Sequence, residues 1–217
     1  GALIYLLRRE HGGLIAFLFP RAVWSHKSVR VDIWLIIINR VLAMFGLFAR
    51  FAAVPAVAAW VSGLMPRTVL SSADLSPLVL ALLVFVITDF ANYWIHRLHH
   101  DTRVLWPLHA VHHSASVLTP LTAYRQHPFS VIVSATLTSL IFGAVFGVMV
   151  GTFTPDLTIA EIAGANAFVV LTNLTVANFL HSHIWISFGP VLERIFISPA
   201  QHQIHHSIEP RHFNRNY

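Results

Sequence analysis

Apolar residues along this chain fall into long blocks, and the short segments between them hold most of the histidine. The first block, about 33–65, is interrupted by Arg40, Arg50 and Pro55. It predicts a tilted or kinked helix, with a pair of short helices as the alternative. The second, about 75–95, contains Asp89 as its only charge, and the third, 128–155, has neither charge nor histidine. The fourth, 162–180, is uncharged throughout. The last three meet or nearly meet the roughly 20 residues a transmembrane helix needs. Residues 1–30 instead mix apolar turns with Arg8, Arg9, Glu10, Arg21, Lys27 and Arg30 around Gly12-Gly13, a pattern for an interfacial segment. His11 and His26, isolated there, read as interface or surface residues.

Composition strengthens this picture. Hydrophobic residues make up 56% and charged residues 11% of the 217, against about 25% charged in a soluble domain. The expected protein is therefore an all-α, multi-pass integral membrane protein. Its single membrane domain would be a four-helix bundle carrying a cytosolic helical cap, formed by 96–127 and 181–217. A net charge of +5 raises nucleic acid as a partner, but that requires a basic face. Here Lys and Arg cap apolar runs, so no nucleic acid is expected.

Helix parity places both histidine-rich segments on one side of the membrane. That side carries Arg97, Arg103, Arg125, Arg194, Arg211, Arg215 and the basic N-terminal residues, while the opposite loops carry only Arg67. The positive-inside rule makes the histidine face cytoplasmic. The absence of cysteine excludes disulfides and thiolate metal sites. A chain that starts at Gly1 and stops at Asn216-Tyr217 reads as a fragment cut short at its C-terminus.

The histidine spacing carries the chemistry. Residues at i, i+3 and i+4 share a helix face, so His109, His112 and His113 point together, as do His202, His205 and His206, while His96 and His100 form a pair. With His181 these make nine imidazoles. That is too many for one tetrahedral metal, and suits two metals with about four or five ligands each. Imidazole binds iron, zinc, copper and nickel, so ligand type alone leaves the metal open. A membrane metal transporter or metal-binding protein is the rival reading. A transporter should place ligands near the bilayer midplane, whereas these histidines stand at the ends of the apolar blocks.

Asp89-Phe90-x-x-Tyr93-Trp94-x-His96-Arg97-x-x-His100, followed by His109-x-x-His112-His113-Ser114, resembles the sterol desaturase and fatty acid hydroxylase superfamily. Arg125-x-His127-Pro128 is similar to a bacterial-type version of its middle motif, and Asn178-Phe179-x-His181-Ser182 to its single-histidine motif. Ser198-Pro199-x-x-His202-x-x-His205-His206-Ser207 resembles its C-terminal block.

The resemblance implies an O2-dependent, non-haem di-iron oxygenase of membrane lipids. It would hydroxylate or desaturate an unactivated C–H bond of a sterol, fatty acyl, carotenoid or alkyl glycerol substrate. Electrons would come from an external donor, such as a ferredoxin or a cytochrome b5-like protein with its reductase. The implied ligands are His96, His100, His109, His112, His113, His181, His202, His205 and His206, with His127 a further option. Zinc is an alternative occupant in purified protein.

Asp89 and Asp101 are candidates to orient ligating imidazoles through the second ring nitrogen, although a packing role for Asp89 fits as well. Asn92 and Asn178 are packing amides or donors to the ligand shell. His99 and His183 read as residues beside the ligands, with a surface position for His99 left open, and His212 as a supporting residue or a phosphate or surface contact. Di-iron bundles of the carboxylate class employ paired Glu-x-x-His motifs. Only Glu209 has a histidine three residues on, His212, and it lies in a polar tail, so that class is excluded.

Overall fold

The computed structural model describes residues 2–8, 12–65, 77–152 and 178–213, and helices are the only regular structure among them. Short helices α1 (Ala2–Arg8), α2 (Leu14–Leu18) and α3 (Arg21–Trp24) lead into α4 (Lys27–Leu64). Then follow α5 (Pro77–Asp101), α6 (Trp106–His113) and α7 (Pro128–Thr152). Three short helices complete the order: α8 (Asn178–Leu180), α9 (Gly189–Leu192) and α10 (Pro199–His205). Pro55 lies inside α4 without dividing it, so one continuous helix covers the first apolar block. The fourth block lies outside the described residues except for 178–180, as do His11 and the tail from 214 onward.

The chain forms two compact units, one of residues 1–38, 107–127 and 175–217, the other of 39–106 and 128–174. In the second, α5 packs against α7. Thr88, Ala91, Ile95 and His99, spaced three or four apart, form the buried stripe of α5. Opposing positions on α7 are small or polar: Ser130, Ser139, Gly143 and Gly147 are buried. The glycines matter because α4 lies against them. A β-carbon at Gly147 would stand 2.5 Å from Val61 Cβ, and one at Gly143 2.6 Å from Val57 Cβ. Gly151 continues the four-residue repeat, and such small-residue stripes let helix backbones approach closely in lipid.

Large apolar side chains of this unit point outward instead, among them Phe90, Val86, Phe129 and Ile132. Small and polar residues inside with large apolar residues outside is the reverse of a water-soluble core. Among the described residues one helix, α7, is long and apolar enough to cross a membrane, with a mean hydropathy of 2.2. Shorter apolar stretches run over Leu14–Trp24 and Ala53–Leu64.

The first unit is built around short helices and loops. Here α8 contacts both α10 and the 3-10 turn Pro120–Tyr124, and α1 contacts α2. The N-terminal segment is tied to the chain after α8 by two bonds: Arg8 donates to the Trp185 carbonyl, and His183 Nε2 donates to the Phe17 carbonyl at 3.0 Å.

Helix α10 starts where its sequence says it should. Ser198 accepts from the Gln201 N–H, Gln201 reaches back to the Ser198 N–H, and Pro199 takes the first helical position. Glu193 braces this cap, accepting from Ser198 Oγ at 2.6 Å and Ser187 Oγ at 2.8 Å. Those bonds hold its carboxyl below the usual range.

Candidate metal centre

In the first unit, α6, the residue after α8 and helix α10 together with the residue that ends it bring four buried histidines to one place: His112, His181, His202 and His206. Their candidate ligand nitrogens all lie within 4.8 Å of one another. His181 Nε2 is 3.0 Å from His112 Nε2 and 2.8 Å from His202 Nε2, and His206 Nε2 is 3.2 Å from His202 Nε2. Tetrahedral nitrogen donors about 2.0–2.1 Å from a metal stand about 3.3 Å apart. The tetrad is close to that spacing, so the donor set fits a metal such as iron or zinc.

Electrostatics favour the same use. Burial lowers His202 to about 4. His206 is likewise pushed well below its ordinary value, first by burial and then by the neighbouring His112, His202, His113 and His181. A neutral imidazole is the form that binds metal. Burial thus keeps these rings in the ligating form at neutral pH, while placing nitrogen lone pairs against one another where a cation is the natural partner.

Beside the tetrad lies a second cluster. His109, His113 and His205 bring ligand nitrogens within the same 4.8 Å, with ring centroids 4.9 Å apart for His109–His113 and 4.7 Å for His113–His205. The His113 and His206 rings stack at 4.5 Å, so cluster and tetrad are adjacent.

In the second unit, His96 and His100 form the pair expected from their spacing on α5, Nε2 to Nε2 at 3.2 Å, with Trp106 packed 5.2 Å from the His100 ring. His127 is half-buried and belongs to neither converging group of the described residues.

The supporting residues divide differently from expectation. His99 is 2% exposed, which corrects the surface alternative. Its Nδ1–H donates to the Ile95 carbonyl at 2.7 Å, which makes Nε2 the acceptor for Ser130 Oγ at 3.1 Å. His99 thereby bolts α5 to α7. Asp101 pairs with Arg97 at 3.0 Å on the exposed side of α5, and Asp89 and Asn92 are exposed on the same helix. Asn178 is half-buried at the start of α8, and His212 Nδ1 stands 2.8 Å from Ser207 Oγ.

Sequence reasoning offers Arg125 as a topology residue or a partner for an acid; it misses that the acid is Asp32 and that the pair forms the node that holds α6. Arg125, buried, donates from Nε to the Val111 carbonyl at 2.9 Å and from Nη2 to Ser114 Oγ at 2.8 Å. Val111 and Ser114 bracket His112 and His113, so one guanidinium grips the chain on both sides of two histidines. Its Nη1 reaches Asp32 at 3.0 Å and Ser28 Oγ at 3.1 Å, and Thr122 Oγ1 donates to the other Asp32 oxygen at 3.1 Å. Burial pushes the Asp32 carboxyl up, against the pull of Arg125 and Thr122. Asp32 sits at the seam between the N-terminal segment and the first apolar block, where neither pattern singles it out. Gln126 adds a carboxamide 3.4 Å from His112 Nδ1.

Comparison with known proteins gives the family of the chain. The chain is similar to the alkylglycerol monooxygenase of Danio rerio, with 30% identity over 135 residues, 62% of this chain and 26% of that protein. It is similar to the alkylglycerol monooxygenase of Homo sapiens, with 27% identity over 133 residues, 61% of this chain and 26% of the relative. The match therefore spans 26% of the length of each of these relatives. No solved structure matches the chain. The fatty acid hydroxylase family model matches residues 81–217, which include every histidine of the two converging groups. The chain belongs to the fatty acid hydroxylase family.

Proposed function

We propose that this protein is an O2-dependent lipid oxygenase whose metal centre is built from histidine alone. The observation that carries the reading is the convergence of His112, His181, His202 and His206, buried, with ring nitrogens facing ring nitrogens. These four hold one metal. His109, His113 and His205 contribute to the second, and the family resemblance implies His96 and His100 as further ligands.

When bound, an iron pair supplies the activation of O2 needed to attack an unactivated C–H bond; hydroxylation consumes R–H, O2, two electrons and two protons, and yields R–OH and water. The electrons come from an external donor such as a ferredoxin or a cytochrome b5-like protein with its reductase. The chain's own residues do the positioning. Arg125 grips the Val111 carbonyl and the Ser114 hydroxyl on either side of His112 and His113, the Ser198 cap fixes the start of α10, and His99 holds α5. Gln126 Nε2 stands 3.4 Å from His112 Nδ1, so its carboxamide orients that ring from the side away from the other histidines.

The membrane reading extends to the whole chain: a multi-pass four-helix bundle in one membrane domain, with the histidine cap on the cytoplasmic face. The reversed distribution of large and small side chains in the second unit supports it, and the substrate class follows from it as a lipid. An alkyl glycerol is the favoured member because the relatives named above are alkylglycerol monooxygenases. The test is turnover. Detergent-purified protein supplied with reductant should convert an alkyl glycerol to an oxygenated product that carries label from 18O2, and a His112→Ala, His205→Ala variant should not. Bound metal without O2-dependent product from any lipid class would favour metal transport or storage instead.

A further inference from the structure

A cleft of about 230 Å³ opens in the first unit between the 115–118 loop and Ser182, His183, Gln203 and His206. We propose that this cleft binds the neutral, hydroxyl-bearing headgroup of the lipid substrate, an inference that rests on the oxygenase reading above and names the end of the substrate held next to the metal centre. Three features of the cleft point to that chemistry.

The first is position. His206 belongs both to the cleft wall and to the histidine tetrad, so whatever fills the cleft lies against a metal ligand.

The second is charge. The walls are polar through Ser116, Ser182, His183 and Gln203, and apolar through Ala115, Val117 and Leu118, and among the described residues no Lys, Arg, Asp or Glu lines them. A phosphate or carboxylate would be desolvated there without a counter-charge, which is strongly unfavourable. A polyol suffers no such penalty. Size agrees, since whole-ligand pockets measure about 300–1,000 Å³. This cleft takes part of a lipid, such as a glycerol end, rather than a sterol ring system.

The third is hydrogen-bonding direction. His183 Nε2–H is committed to the Phe17 carbonyl, which makes Nδ1 the acceptor in that tautomer, and that atom is buried with no hydrogen-bond partner among the described residues. Buried acceptors of this kind are rare and call for a donor. Gln203 Nε2 donates to the carbonyls of Ser182 and Ile184, so its Oε1 is also an acceptor, while the Ser182 hydroxyl already accepts from the Ile184 N–H and has its own proton to donate. A ligand that both donates and accepts through adjacent hydroxyls matches this set. A hydrocarbon end does not.

The experiment is a calorimetric titration of the intact, detergent-purified protein with hexadecylglycerol and, separately, with hexadecanol. Ser116→Trp plugs the cleft from an exposed position, and His183→Leu removes the acceptor. Hexadecylglycerol should bind the wild type more tightly than hexadecanol, and each variant should weaken it roughly tenfold while leaving hexadecanol unchanged. Hexadecylglycerol binding that is the same in Ser116→Trp as in the wild type, equal loss for both lipids, or no wild-type preference would overturn the proposal. Iron content of the same samples reports separately on the oxygenase reading: wild type without metal sinks that reading, whereas metal-loaded protein indifferent to both substitutions sinks only the headgroup site.

Discussion

His99 and His202 are buried to nearly the same degree, at 2% and 5% exposure, yet their surroundings differ in kind. His99, on α5, spends one nitrogen on the Ile95 carbonyl and the other on Ser130, so its bonding is complete within the protein. His202, on α10, faces His181 and His206 through a single nitrogen, and its other nitrogen has no hydrogen-bond partner among the described residues. Burial therefore does not distinguish a candidate ligand from a structural histidine. What distinguishes them is whether the neighbours answer the ring with acceptors and donors of their own or with further lone pairs.

The sharpest way to break this contrast is to turn a satisfied node into an unsatisfied one. Arg125→Met leaves the Asp32 carboxylate buried without its cation, a change that costs about 3–5 kcal/mol. Thermal or denaturant unfolding should show that loss. The paired substitution Arg125→Met, Asp32→Leu should recover part of it, since a buried ion pair replaced as a whole is often neutral.

Acid should separate the two kinds of histidine next. His202 has its pKa lowered to about 4 in the folded protein, against about 6.5 in an unfolded chain. The unfolded state then binds more protons between these values. The metal-free protein should keep its full contribution from this group above about pH 6.5 and lose on the order of 3 kcal/mol as pH falls toward 4. His202→Gln should flatten that slope; an unchanged slope would mean that His202 is not the group responsible. The smallest effect belongs to the bolt between α5 and α7. Ser130→Ala removes the donor to His99 Nε2 and should cost about 1 kcal/mol, with no change in bound metal.

Much of the site could be read from the chain because metal chemistry demands residue type at fixed spacing. The H-x-x-H-H runs at 109–113 and 202–206 each lie on one short helix or its end, and seven of the nine expected ligands converge within the first unit. The supporting residues could not be read in the same way. Asp32 stands 93 residues from Arg125 in sequence, and nothing in its own neighbourhood marks it as the partner. His99 and His100 are adjacent letters with opposite duties, because one helical step turns the first toward Ser130 and the second toward His96. The glycine repeat at 143, 147 and 151 was present in the third apolar block, but its meaning depends on α4 lying against it. In the fold, helix content followed from apolar block length, while Pro55 left one kinked helix and two short ones both open, and α4 runs unbroken through it.

The central claim is that convergence, not burial, makes the metal centre. Its most direct test is iron content per chain in protein from iron-supplemented cells, compared among the wild type, His202→Ala and His99→Gln. The account predicts about two irons per wild-type chain, loss of at least half in His202→Ala, and wild-type content in His99→Gln. Full iron in His202→Ala, or equal loss in both variants, would contradict it.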